Sequence, residues 1–158
     1  MTVSEKNFEA VMRAHQKAAP VKVGELASSL GLKVVISELP AGVSGKLTCE
    51  PKGSDQWVIR VNRHEHRNRQ RFTIAHEIAH FVLHRTEIDG ELTDDTFYRS
   101  GLSEKREFEA NRLAAEILMP WHLIRAETQA VGKSTPSELA SKFGVSEAAM
   151  HIRLGLPT

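Results

Sequence analysis

The chain has 158 residues, a length that suits one compact domain with a small appendage. Hydrophobic residues make up 41% of it and charged residues 26%, which is ordinary for a soluble globular protein. The formal net charge of +1 gives no argument for nucleic-acid binding, and no apolar run approaches the ~18 residues that span a bilayer. The single cysteine, Cys49, excludes an internal disulfide and suits a reducing compartment. The first residues show no apolar signal segment, so we expect a cytoplasmic protein.

The first third of the chain predicts two helices and a small sheet. Apolar side chains at helical spacing predict a helix over 4–19, which Pro20 ends, and a shorter helix over 24–30. Three runs rich in β-branched or aromatic residues follow, separated by turns that contain proline and glycine. These runs predict strands at 33–37, 46–49 and 57–61.

Two longer helices are predicted in the middle of the chain. Apolar residues at spacings of three and four predict a helix over 67–84. The polar, glycine-containing segment 86–101 predicts a loop. Ser103 can then cap a helix that runs to Met119, because Pro120 cannot continue it.

The C-terminal tail predicts two short helices. Thr135 begins a capping-box sequence, with Pro136 in the first turn of the helix. This helix should end at Phe143, before a turn at Gly144, and a last helix should cover 146–154. The pair is similar to a helix-turn-helix, but its second helix is poor in residues that read bases. We therefore expect the tail to pack on the rest of the protein or to help hold a protein partner.

The sharpest feature of the sequence is the pair His76 and His80 in the predicted helix 67–84. Positions four apart lie about 40° apart on one face of an α-helix, one turn along it. Two imidazoles so placed can bind one tetrahedral Zn²⁺. Glu77 lies beside this face and can take a proton from a water molecule as the water attacks a carbonyl. The alternative is a surface helix with two ordinary histidines, and the apolar residues around them weigh against it.

A catalytic zinc needs a third protein ligand and one open position. Glu107 and Asn111 lie four apart on the next helix, so Glu107 is the candidate ligand and Asn111 a hydrogen-bonding partner behind it. Alanines on this helix would allow close packing against the histidine helix. His84 is the rival ligand, but on a straight helix it drifts about 80° from His76. We expect it to cap or flank the helix instead.

Two long segments closely resemble the ImmA/IrrE family of metallopeptidases. They are RFTIAHEIAHFVLH at 71–84 and EFEANRLAAEILMP at 107–120, in the family's order and at its usual separation. Leu113 stands where the family often has Phe, and Ile117 where it often has Leu. The resemblance implies a thermolysin-like arrangement with the zinc ligands His76, His80 and Glu107 and the catalytic base Glu77.

The resemblance also implies a substrate class. Family members with known roles cut a helix-turn-helix transcriptional repressor, and act as antirepressors or damage-response switches. We therefore expect a zinc-dependent endopeptidase that cleaves such a repressor. The alternative is a non-catalytic, metal-containing binding partner of a regulator in an operon-encoded pair. We expect no membrane partner and no direct contact with nucleic acid.

Two further groups of residues are candidates for function. A basic run between 60 and 71 could bind nucleic acid or an acidic substrate, but it has no interleaved aromatic residues, so a solvated strand end is the preferred interpretation. The run contains Arg60, Arg63, His64, His66, Arg67, Arg69 and Arg71. Peptidases of this type also need a donor for the developing oxyanion. The candidates are Tyr98, Arg99, His122 and His151.

The predicted fold is therefore α+β. A small three-stranded sheet should pack on the HExxH helix and on the helix that carries Glu107, followed by a short tail similar to a helix-turn-helix. We predict a zinc metallopeptidase domain over 1–132 and a helical appendage over 133–158 packed on it. An extended substrate would add along the sheet edge near the zinc.

Overall fold

A computed structural model describes residues 5–88, 90–95 and 103–157, and these form a mixed α+β fold. None of the helices in these ranges is long and apolar enough to cross a membrane. The strands are β1 (Lys33–Ser37), β2 (Val43–Cys49), β3 (Trp57–Asn62) and β4 (Glu91–Asp95). The α-helices are α1 (Glu5–Ala14), α2 (Val23–Ser29), α3 (Arg67–His84), α4 (Glu104–Leu118), α5 (Trp121–Val131), α6 (Pro136–Phe143) and α7 (Glu147–Leu154).

The sheet has four strands in the order β1-β3-β2-β4. Strands β1 and β3 are parallel, and the other two pairs are antiparallel. The prediction of three strands was wrong, because β4 lies within the segment 86–101 that was predicted as a loop. In β4, Leu92 is buried, while the residues around it are polar. The strand is held by backbone pairing with β2, such as Thr48 with Glu91, and pairing of this kind leaves no apolar pattern in the sequence.

Helix α3 has the predicted bounds and lies between the sheet and α4. Ten of its 18 residues are buried, so it is enclosed on most sides. Strand β2 approaches α3 closely at Gly45, where an added Cβ would lie 2.5 Å from Cγ2 of Thr73. On α4, Ala110 and Ala114 are fully buried. Small residues on both neighbours therefore allow α3 to be packed tightly.

Two helical predictions differ from the structure. Helix α1 ends at Ala14, because Gln16 turns inward and its amide donates hydrogen bonds of 2.9 and 3.0 Å to the carbonyl oxygens of Glu116 and Ile117. This contact with the end of α4 overrides the helical pattern, which continues to Ala19. The segment 121–131, for which the sequence patterns above indicate no element, forms α5 directly after Pro120.

The tail forms the two predicted helices and is attached to α3. The hydroxyl groups of Thr135 and Ser146 cap α6 and α7, and Gly144 adopts a left-handed φ of 65° between them. Arg71 of α3 donates from Nε to the carbonyl oxygen of Gly144 at 3.1 Å. Asn68 donates to the carbonyl oxygen of Val145 at 3.2 Å. The turn of the tail is thus hydrogen-bonded to the first half of α3, and the domain boundary at 132/133 stays a prediction.

We expect Gly45→Ala to lower the free energy of unfolding by about 1–3 kcal/mol. The added methyl group would meet Thr73 Cγ2 at 2.5 Å and the carbonyl oxygen of Arg60 at 3.0 Å, and neither can move without disturbing the core. Urea-induced unfolding of both proteins measures the difference. Gly24→Ala is the matched control, because no atom lies within 4 Å of its added methyl group. Equal stability of Gly45→Ala and wild type would contradict the close approach of β2 to α3.

Candidate metal centre

Three side chains from α3 and α4 meet at one point in the structure. His76 and His80 of α3 direct their Nε2 atoms toward each other at 3.0 Å. The carboxylate of Glu107, from the first turn of α4, lies 3.2 Å from His76 Nε2 and 3.1 Å from His80 Nε2. The sequence reasoning had selected the same three residues. Together they form a group that could hold a metal ion.

The spacing of the two imidazoles and the carboxylate fits the size of a small divalent cation. Zinc-type bonds of about 2.0–2.1 Å place the ligand atoms of a tetrahedron roughly 3.3–3.4 Å apart. The two Nε2 atoms lie 3.0 Å apart, and each lies 3.1–3.2 Å from a different oxygen of the Glu107 carboxylate, so these separations are slightly shorter. An expansion of a few tenths of an ångström would therefore complete the geometry. Both histidines are buried, and the side chain of Glu107 is 18% exposed, so one side of the group remains accessible.

His84 supports His80 from the side away from the carboxylate. Its ring is buried, and its Nδ1 lies 3.0 Å from Nδ1 of His80. Burial, and next the charge of His80, lower the pKa of His84, so its ring is neutral. If His80 binds a cation through Nε2, its Nδ1 must carry the proton and donate to His84. His84 was expected to cap or flank the helix; it is the last residue of α3, but its ring points into the core.

The remaining candidates occupy different places. Glu77 is fully buried on the turn of α3 that joins the two histidines. Asn111 is exposed and lines the cleft described below. His122 donates from Nε2 to the carbonyl oxygen of Gln16 at 2.8 Å, and His151 contacts the carbonyl oxygen of Pro157 through Nδ1 at 2.9 Å. Neither histidine is among the residues that line the cleft. Tyr98 and Arg99 lie outside the described residues.

A cleft of about 660 Å³ opens beside this group. Its lining includes His76 and Glu107, together with residues of α3, α4 and α7. This volume lies within the usual range for small-molecule and cofactor sites. The sequence predicted that the tail packs on the protein or helps to hold a partner, but not which residues of α7 line the cleft, because residues so far apart in the chain give no common pattern. On α4, the lining positions 107, 108, 111, 112 and 115 follow one helix face, and that spacing was the available signal.

Comparison with known proteins agrees with this arrangement. A sequence model of a peptidase family, described as the IrrE N-terminal-like domain, matches residues 27–155. The metallopeptidase ImmA of Bacillus subtilis is 25% identical over 113 residues, which are 72% of this chain and 64% of that protein. A solved structure named as a Mycobacterium tuberculosis transcriptional regulator aligns with a TM-score of 0.62 and 19% identity, over 96% of this chain and 47% of that one. At that identity the likeness establishes the fold alone.

The chain spans less than two thirds of the length of both proteins, since it covers 64% of the Bacillus protein and 47% of the Mycobacterium chain. The match of the family model, by contrast, extends over most of this chain and includes both helices that carry the candidate ligands. The resemblance seen in the two sequence segments is therefore confirmed: this chain belongs to the ImmA/IrrE family.

Proposed function

We propose that this chain is a zinc-dependent endopeptidase whose metal ligands are His76, His80 and Glu107. The observation that carries the proposal is the convergence of two imidazoles and one carboxylate from separate helices, at 3.0–3.2 Å from one another. Two histidines and one glutamate are a ligand set of catalytic zinc, and they leave a fourth position open. When bound, the ion supplies a Lewis acid that polarises a carbonyl and lowers the pKa of a water molecule.

Glu77 is the proposed catalytic base. It follows His76 directly on α3 and is fully buried, with its Cγ 4.0 Å from the place that a Cβ on Gly45 would occupy. The turn of α3 that carries both ligands therefore also fixes the base. Its carboxylate can take a proton from the attacking water and return it to the leaving amine. The Glu77 carboxylate alone can carry out both proton transfers, because it is protonated in the first and deprotonated in the second.

The proposed substrate is a helix-turn-helix transcriptional repressor, as the family resemblance implies. An extended segment of such a protein can add to β4, which is one of the two edge strands of the described sheet. The pairing of Val43 with Asp95 places one end of β4 next to Ser44, and Ser44 lines the cleft. A substrate strand bound there would run toward the candidate ligands. We propose that cleavage takes place in the cytoplasm, because a transcriptional repressor is found there.

We also propose that 1–132 form the metallopeptidase domain and 133–158 a helical appendage packed on it. Supporting contacts are the hydrogen bonds from Arg71 and Asn68 to carbonyl oxygens of the turn between α6 and α7. Buried residues of both tail helices, such as Phe143 and Met150, also belong to the main hydrophobic core. The appendage therefore depends on α3 for its position.

Zinc binding by single-residue variants distinguishes the proposed metal ligands from the residues around them. Glu107→Gln should lose zinc at concentrations that saturate the wild type, because the charged third ligand is replaced by a neutral amide. His84→Ala should still bind one ion per chain, with an affinity about 10–100-fold lower, because the ring of His80 loses its hydrogen-bonding partner. Competition with a chromophoric chelator measures both constants.

Two variants control this experiment. Glu25→Gln makes the same change at an exposed glutamate in the first turn of α2, outside the metal-binding group, so it should bind zinc as the wild type does. His84→Asn offers an amide oxygen that can still accept from His80, so it should regain part of the affinity lost in His84→Ala. Loss of zinc only in the His84 variants would mean that the third ligand is wrong.

Glu77→Gln should retain zinc and lose cleavage by about 10²–10⁴-fold, because the amide cannot accept the proton. Cells that express the wild type or this variant are compared by mass spectrometry of new protein N-termini. A new terminus within a helix-turn-helix repressor, present only with the wild type, is the expected result. Cleavage that persists in Glu77→Gln would refute the assigned base. An intact regulator captured equally by both proteins would favour the non-catalytic binding partner.

A further inference from the structure

We infer that the cleft beside the candidate metal centre selects a substrate segment in which a large apolar side chain lies within two residues of an aspartate or glutamate. The inference rests on the proposed peptidase function and adds the substrate class that the site recognises. It follows from two independent properties of the lining, which are its exposed apolar side chains and its arginines.

Two large apolar side chains of the cleft are exposed to solvent. Phe108 on α4 is 66% exposed and Ile152 on α7 is 71% exposed. Scattered apolar residues on a surface need no explanation, but a group of them around a concavity marks a binding site. The apolar lining also reaches the candidate ligands, because the ring of Phe72 stacks on that of His76 with centroids 6.5 Å apart. An apolar side chain near the scissile bond would cover these surfaces.

Three arginines line the same cleft, one from each of its helices: Arg69 of α3, Arg112 of α4 and Arg153 of α7. Arg112 is exposed, and within the described ranges it forms no ion pair with a carboxylate. Arg69 has its nearest carboxylate, that of Glu65, at 4.0 Å. The lining carboxylate, Glu107, is itself a candidate metal ligand. The cleft therefore carries surplus positive charge, which favours an acidic segment.

Helix α7 forms one side of the cleft. Ala149, Ile152 and Arg153 face the cleft, and the guanidinium group of Arg153 donates from Nε to the carbonyl oxygen of Met119 at 2.9 Å. The same group stacks over the ring of Trp121 at 4.8 Å, which fixes the end of α7 against the chain that follows α4. Ile152 is thus presented from a fixed helix and lines the same cleft as Phe108. Apolar side chains at this place suit a polypeptide better than the sugar-phosphate backbone of a nucleic acid.

Selection of peptides by binding tests the inference without cleavage. The whole chain carrying Glu77→Gln is loaded with zinc, immobilised and incubated with a random octapeptide library, and the retained peptides are sequenced by mass spectrometry. We expect enrichment of Phe, Leu, Ile or Met followed or preceded within two positions by Asp or Glu, about fivefold over the library. Retention without this preference, enrichment of Lys or Arg, or no retention at all would overturn the inference.

Variants of the lining assign the preference to the cleft. Arg112→Glu should abolish or reverse the enrichment of acidic residues, whereas Arg125→Glu makes the same charge change on the exposed face of α5 and should leave it intact. Ile152→Ala should reduce the apolar enrichment from about fivefold to about the level of the library, because it removes most of the exposed apolar surface that α7 contributes. Its control is Ile36→Ala, which removes an exposed apolar side chain from β1, outside the cleft. An unchanged preference in Arg112→Glu and Ile152→Ala would overturn the inference.

Cleavage of the selected peptides tests the proposed peptidase function independently of the inferred binding preference. They are given to the zinc-loaded wild type, and the products are analysed by mass spectrometry. Peptides that are selected but not cut would contradict the peptidase function and leave the binding preference standing. Cleavage of unselected and selected peptides at equal rates would contradict the preference and leave the peptidase function standing. A DNA duplex that displaces the selected peptides through Arg112 would assign the cleft to nucleic acid instead.

Discussion

The structure depends on how α3 accommodates four ionisable side chains in the protein interior. His76, Glu77, His80 and His84 are all buried on one 18-residue helix. Burial of such groups is costly unless they are hydrogen-bonded or paired. The imidazoles meet this requirement partly among themselves, since the ring of His80 lies 3.0 Å from His76 on one side and 3.0 Å from His84 on the other. A core built this way gains less stability than an apolar one, which is typical of a functional site.

The sequence predicted those parts of the fold in which local chemistry and packing agree. Helix α3 has the predicted bounds because its apolar spacing continues without a break until His84. The caps of α4 and α6 are the predicted Ser103 and Thr135, whose hydroxyl groups accept from backbone N–H groups three residues on. Ser146, predicted as the first residue of the last helix, caps α7 in the same way. Strand β4 was missed because its position is determined by pairing with β2 rather than by its own side chains.

The candidate ligands could be predicted, whereas the side chains around them could not. Helix geometry alone places His76 and His80 on one face and moves His84 away from it. The same geometry does not say that the ring of His84 is buried against His80, because that depends on the packing of α4. Predicting the cleft would need still more information. Its lining residues Phe108 and Ile152 lie 44 positions apart in sequence, and no local sequence pattern relates them. Their proximity is a property of the tertiary structure.

The net charge of +1 does not show how the ion pairs are distributed over the surface. Away from the cleft, several arginines are paired with carboxylates. Arg60 donates to Glu50 at 2.6 and 2.8 Å, and these hydrogen bonds are the main reason why the pKa of Glu50 falls to about 2. Arg106 likewise binds Glu87 and Glu109. Within the part of the chain that the structure describes, the arginines of the cleft have no carboxylate partner this close, so a positive field remains where a substrate would enter. Whole-chain composition therefore excludes a uniformly basic surface, but it does not exclude a local preference for acidic ligands.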